Sequence, residues 1–154
     1  MRKIRRTQEG EALSGLMLDL FRLNSLLLAA GDRLVAELGL TSARWQILGA
    51  IVAGERPEPV AWLARKLGAN RQNVQRIVND LERDGLVAFA ANPNHRRAQL
   101  VVLTERGKAA YEAAMRLQAP WINALAEGLS PAAIAAMHRV IVALRQKLES
   151  EDPA

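Results

Sequence analysis

The stretch that most constrains this chain is "NRQNVQRIVNDLERDGLVAFAANPNHRRAQLVVLT", residues 70–104. Wound at about 100° per residue, positions 71–83 gather Val74, Ile77, Val78 and Leu81 into one apolar stripe. A stripe of that kind must face a core. Opposite it lie Gln72, Arg76, Asn79 and Arg83, with Asn73 and Gln75 on the flanks. Asn70 is placed to cap the helix, and Asp84-Gly85 to end it. A solvated helix more often exposes Glu and Lys. Here the acids Asp80, Glu82 and Asp84 are confined to the second half, and the first half carries no negative charge.

Residues 86–104 read as two short strands around a turn, a hairpin. Leu86, Val87 and Phe89 form one apolar run and Leu100–Leu103 another, separated by Asn92-Pro93-Asn94, residues that favour turns. The tip ends in His95-Arg96-Arg97. Adjacent guanidinium groups repel, so an anionic partner is the natural reason for placing two of them at a point of high exposure.

Elsewhere the pattern is helical. Residues 11–38 carry Leu13, Leu16, Met17, Leu20, Leu23, Leu27, Leu34 and Val35 at mostly helical spacing, weakened at Gly31 and ended by Gly39. Thr41 or Ser42 caps a second helix with Trp45, Ile47, Leu48, Ile51 and Val52. "GERPEP" (54–59) is a loop, and Val60–Leu67 a short helix stopped by Gly68. Thr104 opens a long helix to about Glu127, with Pro120 as a point of kinking. Ser130-Pro131 opens the last helix, in which Ile134, Met137, Ile141, Leu144 and Leu148 recur near heptad spacing.

The predicted fold is therefore mainly α with a small two- or three-stranded β wing: a winged helix-turn-helix flanked by long dimerisation helices. Three regions are expected: an N-terminal arm and dimerisation helix (1–38), the winged helix-turn-helix (39–104) and C-terminal dimerisation helices (105–154).

Charge supports an anionic partner. Net charge is +5 over 154 residues. Between Arg56 and Arg106 nine basic residues face five acidic ones, and Arg2, Lys3, Arg5 and Arg6 form a second basic cluster, an expected arm. No cysteine is present, which removes disulfides and thiolate metal sites. No run reaches the roughly 20 apolar residues of a membrane span, and the N-terminus lacks a secretory pattern, so a cytoplasmic protein without membrane contact is expected.

Gln, Asn and Arg are the side chains that read base edges, Arg on guanine and Asn or Gln on adenine. A helix exposing them at its N-terminal half, followed by an arginine-tipped hairpin, suits a recognition helix in the major groove and a wing in the minor groove, whose negative potential attracts arginine. The expected DNA contacts are Arg71, Gln72, Asn73, Gln75, Arg76, Asn79, His95, Arg96 and Arg97. The wide apolar stripes of the terminal helices predict a homodimer on a pseudo-palindromic double-stranded operator, with Leu16, Leu20, Ile134, Met137, Ile141 and Leu144 as interface residues.

These features resemble the MarR family of bacterial winged-helix transcription regulators, over roughly residues 13–148. The resemblance is carried by Leu63-Ala64, Leu67-Gly68, Arg71, Val74, Arg76, Val78, Leu81-Glu82, Gly85-Leu86-Val87, Arg97, Leu103-Thr104 and Gly107. It implies a homodimer built by the first and last helices, base contacts from Gln72, Asn73, Gln75 and Arg76, and a minor-groove contact from Arg97. Repression is the commoner mode in that family. Many of its members release DNA on binding a small, often aromatic, anionic effector, for which Met17, Phe21 and Trp45 offer apolar walls and Arg44 a counter-ion. The family's wings usually carry an aspartate two residues before the arginine; here it is His95. Trp62 stands where the family commonly has a polar residue.

Other classes fit less well. Two histidines on unrelated elements, no thiol and no phosphate-binding glycine loop give an enzyme nothing to work with, and no cofactor is expected. A winged protein-interaction module or a nonspecific DNA-binding protein is the remaining alternative; neither requires an amide-rich helix face.

Overall fold

A computed structural model describes residues 5–151. Arg2 and Lys3 of the basic arm lie outside the described residues. The chain divides into two compact units, residues 1–118 and 119–154.

The first unit opens with helix α1, Gln8–Val35, capped by Thr7, whose hydroxyl accepts from the Gly10 amide, and extended by a 3-10 turn at Ala36–Leu38. Gly31 does not weaken α1 as expected. The helix runs through it, and the missing Cβ makes room for Ser42, whose side chain a Cβ at position 31 would meet. Ser42 is buried and fully engaged. Its hydroxyl donates to the Leu28 carbonyl at 2.7 Å, and its amide donates to Asp32 Oδ1 at 2.7 Å. That locks the start of helix α2, Ser42–Ala53, onto α1, and leaves the cap to Thr41, whose Oγ1 accepts from the Arg44 amide.

Residues 54–59 are not wholly loop: Glu58–Pro59 forms a short strand, β1. Then come α3 (Val60–Leu67), α4 (Arg71–Arg83), β2 (Val87–Ala90) and β3 (Leu100–Leu103). The sheet is antiparallel in the order β1-β3-β2, with Phe89 opposite Val101 and Pro59 opposite Leu100. A proline is tolerated in β1 because that strand is an edge.

The core collects Val35, Leu40, Ile47, Leu48, Val60, Leu63, Val74, Ile77, Val78, Leu81, Val87 and Val101. All four stripe residues of α4 are in it, each worth about 1.5–3 kcal/mol of burial. Thr104 closes the wing in two ways. Its hydroxyl donates to the Gly85 carbonyl at 2.7 Å, and it accepts from the Gly107 amide at 3.0 Å, starting helix α5 (Glu105–Ala126).

The second unit holds the end of α5 and helix α6, Pro131–Glu151, which Ser130 caps by accepting from the Ala133 amide. Ile134, Met137, Val140, Ile141 and Leu148 are exposed on α6, and Leu144 is half-buried.

Residues 8–38 contain an 18-residue window of mean hydropathy 1.4 with no more than two charged residues, long and apolar enough by composition to cross a membrane. The expectation concerned an unbroken apolar run, and Asp19, Arg22, Asn24 and Ser25 interrupt this one. Leucine is dense enough there to outweigh the interruptions at Asp19 and Arg22. Two opposite charges near the middle of a helix are costly in lipid. An amphipathic helix awaiting a protein partner has the same composition.

Candidate nucleic-acid interface

Helix α4 begins where the Asn73 amide donates to Asn70 Oδ1 at 3.1 Å. Its orphan N-terminal amides and its dipole favour an anion there. Beyond the cap, Arg71, Gln72, Asn73, Arg76 and Asn79 are exposed, and Gln75 is half-buried. Two pairs of these side chains support each other. Gln75 Nε2 donates to Asn79 Oδ1 at 2.9 Å, and Arg76 Nη2 donates to Asn73 Oδ1 at 2.7 Å. Each pair spans one turn, so these side chains are held in place and still offer further donors. Arg83 turns aside to Asp80, 3.0 Å away.

The wing turn is built by Asn92. Its Oδ1 accepts from the Asn94 amide at 3.0 Å, and its Nδ2 donates to the Ala98 carbonyl at 2.8 Å, closing the loop across its base. His95, Arg96 and Arg97 are all exposed. The turn is thus stiffened by Asn92 and Pro93 without the acid that His95 replaces.

Helix and wing meet in a groove of about 180 Å³, lined among others by Arg71, Gln75, Asn79, Phe89, Arg97 and Gln99. Four of the expected contact residues, Arg71, Gln75, Asn79 and Arg97, are brought to one concavity from the helix and from the wing. Gln99 joins them from the position just before β3. The start of α3, Pro59 to Ala61, forms the groove's third side, which only the tertiary arrangement reveals.

The residues expected to hold an effector are less well gathered. Met17 and Phe21 are exposed on α1, and Trp45 packs partly buried against the core. Arg44, expected as a ligand's counter-ion, instead pairs with Asp84 at 2.7 Å and donates to the Gly39 carbonyl at 3.3 Å. Asp84 ends α4, and its carbonyl also accepts from Arg106 Nη1 at 3.1 Å. Two arginines from α2 and α5 therefore tether the C-terminal end of α4.

A helix-turn-helix pair, a three-stranded wing and a concave groove of amides and arginines between them define a winged helix-turn-helix DNA-binding protein. The MarR family model matches residues 38–98, from the end of the 3-10 turn through the wing turn. Protein Rv2011c of Mycobacterium tuberculosis is 40% identical over 139 residues, 88% of this chain and 96% of that one. The transcriptional activatory protein BadR of Rhodopseudomonas palustris is 35% identical over 107 residues, 66% of this chain and 59% of its own. Among solved structures, the M. tuberculosis transcriptional regulator MosR in complex with DNA is similar at a TM-score of 0.74 and 25% identity, covering 89% of this chain and 98% of that one. The chain belongs to the MarR family of DNA-binding transcription regulators, which is not a family of enzymes.

Proposed function

We propose that the protein acts in the cytoplasm as a homodimeric repressor on a pseudo-palindromic operator. The observation that carries the reading is the shared groove: Arg71, Gln75 and Asn79 of α4 face the same concavity as Arg97 and Gln99 of the wing. In a bound complex Gln72, Asn73, Gln75, Arg76 and Asn79 read base edges in the major groove. Arg71 meets phosphate at the helix start, and His95, Arg96 and Arg97 enter the minor groove.

Dimerisation is supported by exposed apolar side chains on both terminal helices. Leu16 and Leu20 lie beside exposed Met17, Leu18 and Phe21 on α1, and Ile134, Met137, Ile141 and Leu144 lie on α6. Met17, Phe21 and Trp45 are proposed as walls for a small aromatic or anionic effector that releases DNA. Arg44 serves that site only by giving up Asp84, which would couple an effector directly to the end of the reading helix. No catalysis is proposed.

The test is selection of bound sequences from a random DNA pool at physiological salt, followed by transcription from a promoter bearing the winner. A pseudo-palindrome with half-sites about 10 base pairs apart supports the dimeric reading. No enriched motif, with binding that vanishes in salt, sinks it in favour of nonspecific binding or a protein-interaction module. Activation from the selected promoter, the activity that BadR's name states for that protein, would overturn the repressor assignment alone.

A further inference from the structure

Trp62 sits in the first turn of α3, 54% exposed, on a helix whose next residues Leu63 and Ala64 are buried. It does not line the groove between α4 and the wing. It lines a second, larger cleft of about 490 Å³, together with Arg56 and the wing-turn residues 92–95. The two concavities share Pro59 and Ala98 at the base of the wing and part from there, one toward α4 and the other toward the wing turn and residues 56–58. They therefore flank the wing on two sides.

Double-helical geometry gives that arrangement a use. A minor groove is about 6 Å wide and is walled by two sugar-phosphate strands. A wing inserted there has one strand on either side of it. With α4 in the neighbouring major groove, the strand that separates the two grooves passes between α4 and the wing. The other strand passes along the wing's far side, where the Trp62 cleft opens.

The walls carry the chemistry of a backbone seat. Arg56, Asn94 and His95 are exposed there and offer donors, and Arg56 has no acid partner among the described residues. The one acid in the lining, Glu58, is taken by Lys66 at 2.5 Å with its own side chain only 14% exposed, so the charge left facing solvent is positive. The Trp62 indole adds an apolar face that suits the carbons of a deoxyribose. Pro57, Pro59, Pro93 and the Asn92-braced turn stiffen both walls.

We propose that this cleft seats the far strand of the minor groove that the wing enters. Arg56 pairs with one of its phosphates, and Trp62 packs on the adjoining deoxyribose. Each wing is then held between two strands. The inference rests on the DNA-reading role proposed above and extends that interface to two residues outside it. A seat of this kind positions the protein and carries no base preference of its own.

The experiment measures affinity against salt, by fluorescence anisotropy, for the full chain on a duplex carrying the selected operator, or on a random duplex if selection returns none. Arg56→Ala should weaken binding about tenfold on every sequence and lower the salt slope by about 1. Trp62→Ala should weaken it about tenfold at an unchanged slope, and Trp62→Phe, which keeps an apolar face, should recover most of that. On the operator, methylphosphonates placed singly remove one phosphate charge each. The wild type should be sensitive at a far-strand phosphate, and Arg56→Ala should lose that sensitivity while keeping the others. If Arg97→Ala is impaired but either Arg56→Ala or Trp62→Ala binds as the wild type does, the far-strand seat is overturned and the DNA-reading role stands. Sensitivity confined to the strand between α4 and the wing has the same meaning. No salt-dependent binding by the wild type, or an unimpaired Arg97→Ala, removes the wing from DNA and the seat with it.

Discussion

The guanidinium of Arg44 on α2 stands 2.7 Å from the carboxylate of Asp84, the residue at which the reading helix ends. The two are 40 positions apart in sequence, and the pair is partly solvated on both sides. A half-exposed ion pair contributes about 0–1 kcal/mol. Arg44→Ala should therefore cost no more than about 1 kcal/mol in urea unfolding, and a double-mutant cycle with Asp84→Ala should give a coupling of about 0.2–1 kcal/mol that shrinks in high salt. A coupling well above that range would mean that the pair is desolvated in solution.

The groove makes the wing and the helix separable by experiment. Arg97→Ala should weaken binding across all sequences and lower the salt slope by about 1, whereas Gln75→Ala should relax preference at particular bases. Gln75→Ala also removes the donor to Asn79, so part of its effect should be shared with Asn79→Ala. Affinity and slope that do not change on Arg97→Ala would remove the wing from the interface.

Asn70 carries the cap of the reading helix with a single hydrogen bond to the Asn73 amide. Asn70→Ala should cost about 1 kcal/mol of stability, and Asn70→Ser or Asn70→Asp should recover most of it. Thermal unfolding of the three variants checks this. Equal loss in all of them would mean that the side chain acts in some way other than capping.

Gly107 lies where α5 starts beneath the wing, and a Cβ there would run into the Leu86 carbonyl and crowd Leu103. Backbone cannot swing aside as a side chain can. Gly107→Ala should destabilise by about 1–3 kcal/mol although alanine is the better helix former. A gain in melting temperature would show that the wing and α5 stand further apart in solution.

Met137 and Ile141 are 40% and 39% exposed on α6. Replacing both by Glu should leave helix content intact by circular dichroism and shift the protein toward monomer in sedimentation. Operator affinity should fall with it, because each half-site then binds alone. A double variant that stays dimeric would exclude this face from the interface.

The sequence by itself determined the reading unit. The 3.6-residue spacing of Val74, Ile77, Val78 and Leu81 allows only one face inward, so the amides and arginines had to be outside, and local chemistry at Asn70, Asn92, Thr104 and Ser130 set where helices and turn begin. Such features are legible because they depend on neighbours a few residues away. Residues that act across long sequence separations were not. Gly31 looked like a weak point until Ser42 filled the space it leaves, and Arg44 looked free until Asp84 was found beside it. Glu58–Pro59 looked like loop until β3 offered an edge to pair with, and Trp62 had no account until the wing turn was seen to face it across a cleft. Each depends on which distant segment arrives alongside, a choice made when the core closes around Leu48, Leu63, Leu81 and Val101 and absent from any short window of the chain.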